Sequence, residues 1–364
     1  MRSKLTLIRW LRKAASYCLL LLGPLLPEPC SATSPPVITV QPLSQSVQIL
    51  GSVTFTVGAS SGTTMSYQWR KNGSSISGAT QSAYTISPVQ TTDAATYKVK
   101  VSNAGGSVTS SGATLTVLIP PTITTQPQNQ TATLGGRATF SVVASGTAPL
   151  GYQWYFNGTA LSGATSSALT VSNVQVTNSY GSFYVTVSNV AGTVYSASAA
   201  LTVNVPPTIT SQPQSQTVTL TPGQNVTFSV GTSGTTPLSY QWKFNGAALA
   251  GATNALLQLN NIQATNAGSY TAVVTNVAGS ATSAVATLTV LVLPAITTQP
   301  QSHTAVVGQS TSFSVAASGT APLSYQWNFN STTLSGATNA TLTLSNPQLT
   351  DAGSYTVVVT NGAG

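Results

Sequence analysis

Few side chains in this sequence are able to move a proton near neutral pH. Beyond residue 32 they are His303, Asp93 and Asp351. General acid–base catalysis, paired-carboxylate hydrolysis and a Ser-His-Asp triad each need several such groups converging on one pocket. Too few are present to build one, so no catalytic residue is assigned and the chain is read as no enzyme. Calcium needs clustered carboxylate oxygens. Two aspartates far apart in sequence do not supply them, and neither a metal nor any other cofactor is expected. Both cysteines, Cys18 and Cys30, fall within the first 32 residues, so disulfides and thiol chemistry are excluded from the remainder. Six Asn-x-Ser/Thr matches, at Asn72, Asn129, Asn157, Asn225, Asn330 and Asn339, follow from a composition rich in Asn and Thr. They carry meaning only in a host that glycosylates exported protein.

The formal charge of +8 invites a nucleic-acid reading, but five of the eleven cations (Arg2, Lys4, Arg9, Arg12 and Lys13) lie at the very start. After Ala32 the cations are Arg70, Lys71, Lys98, Lys100, Arg137 and Lys243, against Asp93 and Asp351, so that 6 − 2 leaves +4. Phosphate tracking needs a clustered basic face. Cations spread in this way along the chain predict no nucleic-acid partner.

Residues 1–32 have the organisation of a secretory signal peptide: basic residues up to Lys13, an apolar stretch from about Cys18 to Leu26, helix-breaking Pro27 and Pro29, and small residues at Cys30 and Ala32. The stretch from Ala14 to Leu26, broken by Gly23 and Pro24, would make a helix of only about 20 Å, short of a ~30 Å bilayer core. Cleavage after Ala32 is expected. It would leave a mature chain without a transmembrane segment, secreted or displayed at a cell surface.

The remainder is built on a repeat. The strings YQWRKNG, YQWYFNG, YQWKFNG and YQWNFNS surround Trp69, Trp154, Trp242 and Trp327, at intervals of 85, 88 and 85 residues. Each unit opens with ITVQP, ITTQP, ITSQP or ITTQP. This places Pro42, Pro127, Pro213 and Pro300 near a first strand that is an edge, or that bends from one sheet to another, because proline donates no ladder hydrogen bond. Alternating segments around Phe55, Phe140, Phe228 and Phe313 follow, then the Trp strand, a GAT turn, a further alternation, a strand such as TYKVKVSN, and a hairpin into a last strand. Tyr67, Tyr152, Tyr240 and Tyr325, two residues before each Trp, share its inward face. Arg70, Tyr155, Lys243 and Asn328, one residue after it, face outward and differ in every unit.

About seven short strands with a Trp on the third predict an all-β antiparallel sandwich. The pattern resembles the immunoglobulin fold, specifically the cysteine-free, I-set-like domains found in tandem in large secreted bacterial surface proteins. The resemblance runs from Val37 to the end. It implies that the first cysteine site of disulfide-bonded relatives is filled here by Val57, Val142, Val230 and Val315, and the second by Val99, Val185, Ala272 and Val357. All eight are small apolar residues and are expected in the core with the four tryptophans. The tyrosine-corner position falls on Tyr97, Phe183, Tyr270 and Tyr355, and Phe183, lacking a hydroxyl, gives unit two the least standard corner. Asp93, Asn266 and Asp351 are turn-capping residues. His303, aligned within a residue of Ser46, Thr131 or Thr217, is expected as a solvated strand residue.

The units divide as signal peptide 1–32 and domains at 33–117, 118–203, 204–290 and 291–364, joined by short proline linkers that favour semi-rigid spacing. Units one to three finish with SSGATLTV, SASAALTV and SAVATLTV, whereas unit four stops at NGAG. Its final strand is therefore expected to be absent, and the gene to encode neighbouring domains of a longer polypeptide. The implied function is an exported, non-enzymatic spacer or adhesion array at a bacterial surface, with a protein or polysaccharide ligand. The alternative is an accessory, carbohydrate-binding portion of a larger secreted enzyme.

Overall fold

The computed structural model describes residues 33–364; the predicted signal peptide lies outside the described residues. Four sandwiches follow one another. In the first, ten strands appear in the order β1 (Val37–Val40), β2 (Gln45–Gln48), β3 (Val53–Thr56), β4 (Gly58–Ser60), β5 (Ser66–Lys71), β6 (Ser74–Ser75), β7 (Ala83–Ile86), β8 (Ala95–Asn103), β9 (Gly106–Thr109) and β10 (Ala113–Leu118). One sheet runs β2-β10-β8-β5-β6, with β9 also on β8; facing it are the pairs β1-β4 and β3-β7.

The proline after the first strand marks a change of sheet. β1 pairs antiparallel with β4, and beyond Pro42 the chain crosses over so that β2 runs parallel to β10, Val47 opposite Val117. A residue without an N–H is tolerated there because it belongs to neither ladder. The same crossing recurs at Pro127 and Pro213, where Gln130–Thr133 pairs parallel with Ala199–Asn204 and Gln216–Thr219 with Ala286–Leu291.

Each core gathers around its tryptophan. Trp69, Trp154, Trp242 and Trp327 are fully buried. The Phe of the second antiparallel pair tilts against the indole at 6.2 to 6.3 Å and stacks on the corner aromatic: Phe55 on Tyr97 at 4.9 Å, Phe140 on Phe183 at 4.7 Å, Phe228 on Tyr270 at 4.9 Å and Phe313 on Tyr355 at 4.8 Å. Offset ring pairs of this kind contribute about 0.5–1.5 kcal/mol beyond the area they bury. Val57, Val142, Val230 and Val315 are buried, as are Val99, Val185 and Ala272. Tyr67, Tyr152, Tyr240 and Tyr325 pack against the same clusters.

Sandwich four differs. Its Trp sheet holds three strands, Thr332–Thr333, Ser324–Phe329 and Tyr355–Thr360, and among the described residues no strand pairs with the far edge of the last. With no final strand beside them, residues 301–306 form no strand, and Val306 and Val307 are exposed. Val357, expected in the core with its seven counterparts, is only half-buried, as are Phe313 and Tyr355. His303, expected on a strand, lies instead in this irregular segment. Its ring rests on Phe313 at 4.7 Å and Nε2 contacts the Thr311 hydroxyl. The strand that orders Ser46, Thr131 and Thr217 exists only where a final strand accepts it.

Candidate functional site

Three sets of side chains recur in every unit and a fourth varies; together they define what each sandwich can do. The first set belongs to the Trp strand. Each indole Nε1 donates to a carbonyl twelve residues on, at Gln81, Ser166, Asn254 and Asn339, all at 2.9 Å. The preceding glutamine Nε2 donates both to the Trp carbonyl and to one further along the turn: Gln68 to Ile76, Gln153 to Leu161, Gln241 to Leu249 and Gln326 to Leu334. A buried ring nitrogen without a partner would cost about 1–3 kcal/mol. The GAT turn is thus held by side-chain amides and an indole at once, a role for the glutamine that strand alternation does not reveal.

The second set is the corner. Tyr97 donates its hydroxyl to the Asp93 carbonyl at 2.8 Å, Tyr270 to Asn266 at 2.8 Å and Tyr355 to Asp351 at 2.9 Å. Phe183 makes no such bond; Phe140 and Phe156 pack against its ring, and the preceding 3-10 turn, Val176–Tyr180, is longer than the three-residue turns of the other units. Asp93, Asn266 and Asp351 cap those turns by accepting from the backbone N–H of Gln90, Gln263 and Gln348, and Asn178 does the same for Gln175. The Gln90 N–H, together with Lys71 at 2.9 Å, holds the Asp93 carboxyl below the ordinary carboxylate range, against a smaller upward push from burial. Burial, reinforced by the Asp93 charge and by Tyr84, pushes the Tyr97 phenol up to about 12. Burial raises Tyr270 as well, and Tyr355 with the help of Asp351.

The third set grips the chain where it enters each sandwich. Asn189 donates its amide to the carbonyls of Ile119 at 2.8 Å and Thr147 at 2.9 Å. Asn276 donates to Val205 and Thr235, both at 2.8 Å, and Asn361 to Val292 at 2.7 Å and Thr320 at 3.0 Å. Thr147, Thr235 and Thr320 complete the clamp, each accepting at Oγ1 from the linker N–H and returning its own N–H to the linker carbonyl. Gly146 (φ +146°), Gly234 (φ +137°) and Gly319 (φ +141°) let the linker lie flat, since a Cβ there would stand 2.9–3.0 Å from Pro121, Pro207 or Pro294 Cα. In sandwich one Asn103 holds Ser34 in the same way. In the sequence these asparagines end the strands of the TYKVKVSN type, where the hairpin begins. Their recurrence at Asn103, Asn189, Asn276 and Asn361, one repeat apart, was the available signal.

The fourth set lies on the outward face of the Trp sheet and differs from unit to unit. Arg70 opposes Lys98 in sandwich one, Lys243 opposes Thr271 in three, and Asn328 opposes Thr356 in four. In sandwich two Tyr155 stacks on Tyr184 at 4.9 Å and 4°, with Tyr195 beyond it at 6.3 Å. Among the described residues no group of three His, Cys, Asp or Glu is placed to hold a metal ion, and no helix is long and apolar enough to cross a membrane.

Two packed sheets and a buried Trp linked through a Phe to the corner aromatic recur in all four sandwiches, the chain changes sheets after the first strand in sandwiches one to three, and the corner hydroxyl bonds back to its turn in one, three and four. The immunoglobulin-domain profile matches residues 35–103, 120–189, 206–276 and 294–361. The chain belongs to the immunoglobulin-domain family. Among curated relatives, these immunoglobulin domains are 27% identical over 345 residues to the muscle M-line assembly protein unc-89 of Caenorhabditis elegans, covering 82% of the chain and 4% of unc-89. They are 28% identical over 273 residues to human hemicentin-1, covering 68% of the chain and 5% of hemicentin-1. A third relative, endoglucanase C of Cellulomonas fimi, is 33% identical over 116 residues, which is 30% of the chain and 10% of that enzyme. The chain therefore spans a tenth or less of each of these three relatives. Among solved structures, the titin I-band fragment I67-I69 superposes with a TM-score of 0.57 at 20% identity, covering 71% of the chain and 99% of the fragment. The eight N-terminal immunoglobulin domains of the Down syndrome cell adhesion molecule give 0.51 at 21% identity, covering 91% of the chain and 48% of that structure.

Proposed function

We propose that the chain is an exported, non-enzymatic array of immunoglobulin domains that works as a spacer and adhesion segment, its repeated cores setting a spacing and its variable sheet faces meeting ligands. The observation that carries this reading is the clamp. A spacer must resist bending where its modules join, and Asn189, Asn276 and Asn361 each bond their own incoming linker beside a proline that already restricts it. Sandwiches built only to fold would not need to hold the chain before their first strand. The curated relatives support the same class of role, since unc-89 is named for muscle M-line assembly.

The test removes one clamp. Asn276→Ala leaves the core of sandwich three intact but removes two hydrogen bonds to the entering chain and two within the hairpin, so at about 1 kcal/mol each its melting temperature should fall by roughly 10 °C or more while the sandwich still folds. Spin labels placed in sandwiches two and three should then show a broader distance distribution by pulsed electron resonance. An unchanged distribution would mean that the clamp does not stiffen the junction, and the spacer reading would lose its support.

One observation favours a second reading, an accessory segment of a larger secreted enzyme: the 33% identity with part of endoglucanase C. The gene on either side of this sequence decides between them. A catalytic domain in the same reading frame favours the accessory segment; further immunoglobulin domains or an anchoring segment favour the spacer.

A further inference from the structure

Four of the six cations outside the predicted leader belong to sandwich one, and the fold puts three of them on one surface. Along β8, Tyr97, Val99 and Val101 point into the core, so Lys98 and Lys100 point outward, as Arg70 does beside buried Trp69 on β5. The register sets Arg70 directly opposite Lys98 and Gln68 opposite Lys100. Residues so opposed have Cβ atoms about 4.5–5.5 Å apart, and like charges there repel.

Nothing on this face answers that charge. Asp93 is the one carboxylate among the described residues of sandwich one, and it is engaged with Lys71. The Arg70 Nε is the one buried side-chain nitrogen or oxygen among the described residues without a hydrogen-bond partner. On the same face Lys98 leans away from Arg70 toward the neighbouring last strand, its Cε 3.4 Å from where a Cβ on Gly112 would stand. The cations thus spread across the sheet as a flat strip. Their outward neighbours are Gln68, whose Nε2 is engaged by the Trp69 and Ile76 carbonyls and which offers only its Oε1, and Thr96, Ser102 and Thr109, which offer hydroxyl groups; none is an aromatic ring.

From this arrangement we infer that the outer face of the Trp sheet in sandwich one binds an anionic polysaccharide, the three cations meeting its carboxylate or sulfate groups and the neighbouring threonine and serine hydroxyls its sugar hydroxyls. Arg70 supplies a planar fork that matches a carboxylate or sulfate bidentately, and the two lysines supply point charges. Nucleic acid fits less well. A flat sheet enters no groove, and there is no ring on which a base can stack. The site goes beyond the spacer reading and does not depend on it, since it lies on one sandwich and uses none of the clamp residues.

The test uses the full chain with dextran sulfate, polygalacturonate, unmodified dextran and a short DNA duplex, over a range of sodium chloride concentrations. Dextran sulfate or polygalacturonate should bind and dextran should not. The R70Q/K98Q/K100Q variant should bind the anionic polymer at least about tenfold more weakly, and the slope of log Kd against log salt should fall by about three, near one per cation. R9Q/R12Q/K13Q, which removes the same charge from the leader, should keep most of the affinity. Single K98Q and K100Q variants, each at an exposed or half-exposed position, should each lower the slope by about one, and they give the answer if the triple variant does not fold. Equal loss in both triple variants, no loss in the sheet variants, equal binding of dextran, or tighter binding of the duplex than of either anionic polysaccharide would each overturn the proposal.

Discussion

Tyr97 and Phe183 occupy equivalent corners and differ by one oxygen, with measurable consequences. The Tyr97 hydroxyl is bonded to the Asp93 carbonyl and, being buried, keeps its proton up to about pH 12, whereas in the unfolded chain it ionises near the ordinary 10. A folded-state pKa raised above the unfolded value gives stability that is fully present below pH ~10 and is lost as the pH rises towards 12. Tyr97→Phe should therefore cost sandwich one about 0.5–1.5 kcal/mol at neutral pH, for the lost hydrogen bond, while removing this source of alkaline destabilisation. Methyl resonances of Val99 and Val101, followed through denaturant titrations at pH 7 and pH 11, isolate the effect to sandwich one. An alkaline loss of the same size in Tyr97→Phe would show that another group is responsible. The corner tyrosines could be found by their spacing from the Trp. Gln68 and Asn103 recur with the repeat too, but what their amides hold is not legible there, because an amide is informative only once the carbonyls around it are placed.

At the scale of elements, sandwich four compared with its neighbours isolates what one strand contributes. Where Ala113–Leu118 is present, Tyr97, Val99 and Val101 are fully buried and Gln45–Gln48 forms a strand. Without a counterpart, Tyr355 and Val357 are only half-buried and residues 301–306 are irregular. Appending the sequence of Ser283 to Val290 after Gly364 should supply the antiparallel neighbour of Tyr355–Thr360 and the parallel neighbour of residues 303–306, which stand where Gln216–Thr219 stands in sandwich three. Full burial of a Val contributes about 1.5–3 kcal/mol, and completing that of Val357 should recover part of it. A higher melting temperature and new amide protection at residues 303–306 would show it. Identical melting and exchange in both forms would mean that the fourth core does not use a final strand. The same comparison explains His303: its sequence position matched strand residues, but an edge strand forms only against an acceptor.

For the whole molecule, the remaining proposal concerns export. Residues 1–32, read above as a signal peptide, carry five of the chain's eleven cations and both of its cysteines. Produced in a host able to export it, the protein should begin at or near Thr33 and react with no thiol reagent. An N-terminus still at Met1, with Cys18 labelled in the membrane fraction, would replace the signal peptide with an anchor. Cleavage would also alter the charge available to a polyanion, leaving the Arg70, Lys98 and Lys100 strip as the main concentration of positive charge.

The repeat of YQW, the small apolar residues at the eight cysteine-equivalent sites and the spacing of Trp to corner aromatic determined the fold class and the number of sandwiches from sequence alone. The repeat and the strand alternation are local patterns that depend only on neighbours along the chain, and the cysteine-equivalent and corner sites follow from the resemblance to the immunoglobulin fold. What the sequence left open, whether each first strand ends at an edge or changes sheets at its proline, was decided by pairing with a strand some 70 residues away, Gln45 with Leu115. The cations told the same way. In sequence Arg70 and Lys98 are separated by a turn, a strand and a corner and look dispersed; across the sheet they are direct neighbours. Register between distant strands brings such groups together, and only the folded sheet specifies it.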